Sequence, residues 1–167
     1  MIVVSDTSVL IHLAEIDRFS LLRRLYTEVT IPTAVWRETV VEGGGRPGAP
    51  ETRSAHTSSW IEVAAPAADT DTYRQLREAL DAGEAEALAL ADQLQADLVL
   101  LDESAARQWA EELEIPKTGT VGVLLRAKRE GLIDAVRPAL NALRKTAFWI
   151  DDSLYRHALD AANERPK

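Results

Sequence analysis

The chain opens with an apolar β-branched run, Ile2-Val3-Val4, that passes through Ser5 straight into Asp6. Consecutive apolar residues without polar alternation read as a strand covered on both faces, the condition of a parallel sheet flanked by helices. Such a strand commits the rest of the chain to supplying two covering layers. Asp6-Thr7-Ser8 mark its carboxyl end, which in an open parallel sheet is the edge where ligands bind. A second run, Asp97-Leu98-Val99-Leu100-Leu101, stops in the same manner at Asp102. If the two strands are neighbours, two carboxylates share one edge of the sheet.

The remaining pattern alternates strand and helix, which gives an α/β class with a central parallel sheet flanked by helices. Strands are expected at 2–5, 28–31, 60–63, 97–101 and near Ile115. Helices are expected at 8–16, 18–25, 32–41, 51–58, 71–80, 84–95, 103–113, 119–130, 134–146 and 151–162. The glycine-proline stretch from Glu42 to Pro50 reads as a mobile surface loop. At 167 residues and 46% hydrophobic, the chain suits one domain over 1–167 and is short for two. The four tryptophans, Trp36, Trp60, Trp109 and Trp149, are expected mostly in the core.

Composition narrows the chemistry. The absence of cysteine excludes disulfides, thiolate zinc sites and cysteine nucleophiles, and His12, His56 and His157 are too scattered for a histidine cage. A metal here would be hard and oxygen-bound, Mg²⁺ or Mn²⁺. No run approaches the twenty apolar residues of a membrane span and no basic segment precedes an apolar one, so a soluble, cytoplasmic protein with no membrane contact is expected. The net charge of -8 weighs against a nucleic-acid partner. Its distribution weighs less, because residues 1–115 hold 9 basic against 21 acidic side chains whereas 116–150 hold 7 against 2. Arg126, Lys128 and Arg129 in that segment are candidate RNA contacts, and a solvated helix face is the simpler reading of the same charges.

Two further acids fall where carbon is expected. On helix 32–41 the stripe Ile31, Ala34, Val35 leads to Glu38 at helical spacing. On helix 84–95 the stripe Ala87, Leu88, Ala91, Leu94 runs back onto Glu84. A carboxylate aimed at a core needs an ion pair or a cation. Taken singly, Asp6 and Asp102 also suit helix N-caps, and Glu84 suits the positive end of a helix dipole. Glu38 lies late in its helix and suits neither. Taken together, Asp6, Glu38, Glu84 and Asp102 read as a converging set held open for Mg²⁺, with metal-assisted phosphodiester hydrolysis as its chemistry.

With these residues placed, the sequence resembles PIN-domain ribonucleases, in particular the toxin subunit of VapC-type toxin–antitoxin pairs. The matching pieces are Val4-Ser5-Asp6-Thr7-Ser8, Ile31-Pro32-Thr33-Ala34-Val35 leading to Glu38, Gly83-Glu84-Ala85-Glu86 with the helix that follows, Leu100-Leu101-Asp102-Glu103, and Thr118-Gly119-Thr120-Val121-Gly122. They cover residues 2–125 in order, and the helical segment 126–162 is similar to one branch of PIN proteins. The resemblance implies a Rossmann-like parallel sheet, a Mg²⁺ or Mn²⁺ site on the four acids, RNA cleavage, homodimerisation and inhibition by a small cognate antitoxin protein. It also implies supplementary acids at Glu86 and Glu103, although Glu86 points about 200° from Glu84 on an ideal helix. Thr7, Ser8 and Thr118 resemble hydroxyls that brace acids or water, and turn or cap roles are the simpler reading of each. Arg107 is expected to pair with Glu103, one helical turn away. A phospho-receiver would want paired acids after its first strand, and a haloacid-dehalogenase-type phosphatase an acid at Ser8.

Overall fold

The computed structural model describes residues 1–164. Five parallel strands form its sheet: β1 (Val3–Ser5), β2 (Val29–Pro32), β3 (Ile61–Ala64), β4 (Leu98–Leu100) and β5 (Lys117–Thr118), in the order β3-β2-β1-β4-β5. The chain builds outward from β1 on one side through β2 and β3, then returns to lay β4 and β5 on the other. That reversal is a topological switch point, where the helices leaving neighbouring strands diverge and open a crevice. The register sets Ser5 beside Leu100, and the Asp6 amide donates to the Leu100 carbonyl at 3.1 Å.

Alternation along the central strands divides the core. Val3 and Leu100 join a cluster with Leu10, Leu13, Leu22, Leu124 and Leu140, supplied by α1 (Thr7–Glu15), α2 (Leu21–Tyr26), α8 (Thr120–Arg129) and α9 (Arg137–Leu143). Val4, Val99 and Leu101 face the other layer, with Leu76, Leu88 and Ala106 from α5 (Asp71–Ala79), α6 (Ala82–Leu94) and α7 (Ser104–Glu112). Each such valine or leucine, fully buried, contributes about 1.5–3 kcal/mol of transfer free energy, which explains the unbroken apolar run at the start. Helix α10 (Asp152–Ala161) joins the first cluster through Ala158 and Leu159. Among the described residues no helix is long and apolar enough to cross a membrane.

Several elements depart from the sequence reading, each for a local reason. The helix expected at 32–41 is a short α3 (Thr33–Trp36) followed by a π turn, Arg37–Val41, closed by Glu42 N donating to Arg37 O at 2.8 Å. The strand expected near Ile115 begins at Lys117, because Pro116 lends the ladder only its carbonyl, which accepts from Val99 N at 2.8 Å. Helix α6 is buried almost all round, and Leu94, expected on its inward stripe, is exposed at the last turn. The stretch 42–50 is tied by hydrogen bonds from Arg46 N to Gly43 O and from Ala49 N to Arg46 O, and α4 (Ala49–Thr57) starts inside it. Trp60 is buried and Trp36 and Trp109 pack on the two clusters, whereas Trp149 is 79% exposed.

The segment after α10 is tied to the fold by one acid, Glu164. Glu164 accepts from Lys128 Nζ at 2.9 Å, Val136 N at 2.7 Å and Arg137 N at 3.2 Å, joining α8 to the start of α9. Burial pushes its pKa up, but these bonds outweigh that and hold it below the usual carboxylate value. A lowered folded-state pKa stabilises the fold above the unfolded pKa and is lost as pH falls through the folded value. Glu164→Ala is therefore expected to cost about 2 kcal/mol at pH 7, as a lost charge-assisted network, with the difference shrinking below pH 4. Urea denaturation at the two pH values checks this.

Candidate active site

A cleft of about 550 Å³ opens at the carboxyl edge of the sheet beside the switch point, with Asp6, Glu38, Asp81, Glu84 and Glu103 among its lining residues. Asp6 follows β1 directly and is 1% exposed. It caps α1, its Oδ1 accepting from Val9 N at 3.1 Å and its Oδ2 from Ser8 Oγ at 2.8 Å. Burial drives its pKa to about 8 against these two bonds, with repulsion from Asp102 and Glu84 adding to the rise. The cap of α1 is thus also an acid that burial opposes ionising.

Glu38 reaches the same cleft from the π turn, and Thr7 Oγ1 donates to its Oε1 at 2.9 Å. Burial raises its pKa, and Asp81 and Glu42 add repulsion. The carboxylate lies across Gly83 of α6, where a Cβ would overlap it. Glu84 follows in the first turn of α6, and its pKa is pushed up to about 7 by burial and then by Asp81, with Glu103 adding to it. Asp81 is the N-cap of that helix and accepts from Glu84 N at 3.0 Å. Thr7 and Ser8 therefore hold acids in place, one each.

The other candidates are placed differently. Asp102 does not line the cleft. Its Oδ1 accepts from Thr120 N and its Oδ2 from Thr120 Oγ1, each at 2.7 Å, and His12 Nδ1 lies 2.8 Å from Oδ2. Glu86 faces away and caps the start of α3, accepting from Ala34 N at 3.1 Å. Thr118 packs against Gly122, where a Cβ would overlap its hydroxyl. Arg107 donates to Leu101 O at 3.2 Å and forms no ion pair with Glu103 among the described residues, because its guanidinium turns inward toward Gly119. The basic residues expected to meet RNA sit at the end of α8 remote from Thr120: Arg126 pairs with Glu130 and lies over the Tyr26 ring, Lys128 is bound to Glu164 and Ala162 O, and Arg129 is exposed. Two of those three charges are spent within the fold.

His12 and Asp81 line the cleft and escaped the sequence reading. Both carried a signal. His12 stands four residues after Ser8 on α1, hence on the same helical face, and Asp81-Ala-Gly-Glu84 has the spacing of a helix N-terminal box. The His12 ring meets Phe148 edge-on, with centroids 4.6 Å apart. An ionised carboxylate can only accept, so Nδ1 carries a proton toward Asp102, and in the neutral ring this leaves Nε2 as an acceptor, with no protein partner among the described residues.

The donor set suits a hard divalent cation, being carboxylate and hydroxyl oxygen, with His12 the one nitrogen side chain among the described lining residues, around an acid that burial opposes ionising. Among the described residues no three Asp, Glu or His side chains are gathered closely enough to enclose an ion by themselves. Asp6, Glu38 and Glu84 share a cleft and are not a closed cage, an arrangement that leaves most of a cation's shell to water or substrate.

Two outcomes follow from this geometry. Because Asp6 holds its proton to about pH 8 when folded and loses it near 3.8 when unfolded, its contribution is fully present below about pH 4 and lost as pH rises through 8. Metal-free Asp6→Asn is expected to melt above the unmutated protein at pH 9, with the gap closing toward pH 5; parallel melting curves across that range would refute the assignment. Gly83→Ala is expected to keep or raise the melting temperature, since alanine gains up to about 1 kcal/mol in a helix, while weakening Mn²⁺ affinity by displacing Glu38, as read by calorimetric titration.

No curated protein matches the sequence. A family profile described as the PIN domain matches residues 2–164, nearly the whole chain, and the parallel sheet with its acid-lined carboxyl edge is the architecture the resemblance implied. PIN domains are in general nucleases that use divalent metal ions. The chain belongs to the PIN-domain family.

Proposed function

We propose that this protein is a metal-dependent endoribonuclease that hydrolyses RNA phosphodiester bonds, acting as the toxin of a toxin–antitoxin pair and held in check by a small antitoxin protein. The observation that carries the reading is the arrival of Asp6, Glu38 and Glu84, from three separate elements, on the wall of one cleft at the switch point. Mg²⁺ or Mn²⁺ would be held by these three, with Glu103 at the rim and the charge of Asp102 behind Asp6. Bound there, such an ion lowers the pKa of water and stabilises charge on a leaving oxygen. The chain's own residues do the positioning. Ser8 and Val9 N fix the Asp6 carboxylate, Thr7 fixes Glu38, and Asp102 with Thr120 fixes the His12 ring so that its Nε2 can accept a hydrogen bond within the cleft. Homodimerisation belongs to the same reading.

One observation favours a second reading, a catalytically weak PIN-fold protein that works through its partner: both oxygens of Asp6 and of Asp102 already accept hydrogen bonds inside the protein. Incubating the purified protein with single-stranded RNA and Mg²⁺ or Mn²⁺ separates the two. Under the first reading Asp6→Asn lowers the cleavage rate by at least about 10²-fold, in the range seen when an electrostatic group is removed, and expression of the unmutated chain alone arrests growth of its host. Equal RNA integrity with the protein and with the variant would sink it.

A further inference from the structure

The glycine-proline stretch after the π turn has no part in the metal site, yet it is built and not slack. A Cβ at Gly43 would overlap the Thr39 carbonyl, so only glycine lets the chain turn back on the π turn there. Gly48 has φ +103°, and a Cβ on it would stand 3.2 Å from Ile11 Cγ1 of α1. Its amide donates to Glu51 Oε1 at 2.9 Å. Between these two fixed glycines the loop carries Arg46. The guanidinium is anchored to its own turn, Nε donating to Gly43 O at 3.1 Å and Nη2 to Glu42 O at 3.0 Å. Arg46 has no carboxylate partner among the described residues.

Arg46, Thr39 and Pro47 line a second hollow of about 300 Å³, at the lower end of ligand-sized cavities. This hollow shares Ile11 and Glu38 with the acid-lined cleft, so the two adjoin at Glu38. Among the described residues, Arg46 is the only lysine or arginine that lines either part, and the lining carboxylates are many. A nucleic-acid strand entering there is repelled along its length except where a cation meets it. A guanidinium tethered through two of its nitrogens keeps its remaining N–H groups aimed at one place, which suits the flat, two-point recognition of a phosphate.

We propose that Arg46 anchors a phosphate of the substrate strand adjacent to the one being cut, and that the hollow between α1 and the π turn is the subsite for that flanking nucleotide. This rests on the nuclease reading and adds to it the direction in which the strand leaves the acids. Arg46 is then a positioning residue: its contact is the same in the ground and transition states, so its loss acts on KM and not on kcat.

The experiment compares the full-length protein with Arg46→Ala, Arg46→Lys and Arg46→Glu. It uses a fluorescent single-stranded RNA octamer with Mn²⁺ for cleavage and Ca²⁺ for anisotropy binding, each over 50 to 300 mM salt, with melting curves for all four proteins. Expected are a KM and Kd raised about 10-fold in the alanine variant with kcat within about twofold, and a salt slope shallower by about 0.7, the share of one single-strand phosphate. The lysine variant recovers part of the loss, the glutamate variant is worse than alanine, and all melt together. Wild-type KM, Kd and salt slope in the alanine variant would overturn the subsite while leaving the nuclease reading intact. An unmutated protein that neither binds nor cuts the octamer would overturn both.

Discussion

A carboxylate removed from water at the end of a central strand cannot be moved aside. Asp6 is fixed by the strand before it, wedged between β2 and β4, and by the helix after it, whose first turn it caps. Ionising it in that position works against desolvation and against two neighbouring acids. The surroundings therefore have to offer either a proton or a positive charge, and the choice between them turns on pH and on divalent ions. The other acids of the cleft are arranged with respect to this one, and none of their elements reaches it without the strand order β3-β2-β1-β4-β5.

Delivery of the other carboxylates depends on close contact between the π turn and the first turn of α6. Glu38 lies over Gly83, the residue next to Glu84, so the missing side chain sets how near the two acids stand. Asp81 adds to both, raising the pKa of each through its charge. Repulsion of this kind joins the π turn to the start of α6. That distinguishes the cleft from the acid-rich exterior, where carboxylates turn into solvent and are screened by water and counterions.

The fold and the principal acids were legible because they answer to periodicity. A run buried on both faces admits no other placement than mid-sheet, and Glu38 and Glu84 stood out by interrupting apolar spacing. What could not be read was whatever depended on a contact distant in sequence. Asp102 and Asp6 end their strands alike, but Thr120 and His12 claim the first and leave the second facing the cleft. Glu86 differs from Glu84 only by where α3 begins. Arg126 and Lys128 read as free charge until Glu130, Tyr26 and Glu164 are folded against them. The glycine loop read as slack because glycine signals permission to turn, and only the packing on Thr39 and Ile11 turns permission into requirement.

The π turn has a consequence for how the family's members can diverge. A turn closed five residues back holds one residue more than an α turn, and here that extra residue lies between α3, which packs on the sheet, and the chain that goes on to Gly43. Substitutions within Arg37–Val41 leave the count unchanged and alter only what a side chain meets. Deletion of one residue would restore an ordinary helix and rotate everything beyond it by about 100°, swinging the Gly43–Gly48 segment off α1 while the core below stayed packed. Apart from Glu38, length in this short segment is thus under tighter constraint than identity, and a lineage losing one residue here would keep the fold and part with the hollow beside Arg46.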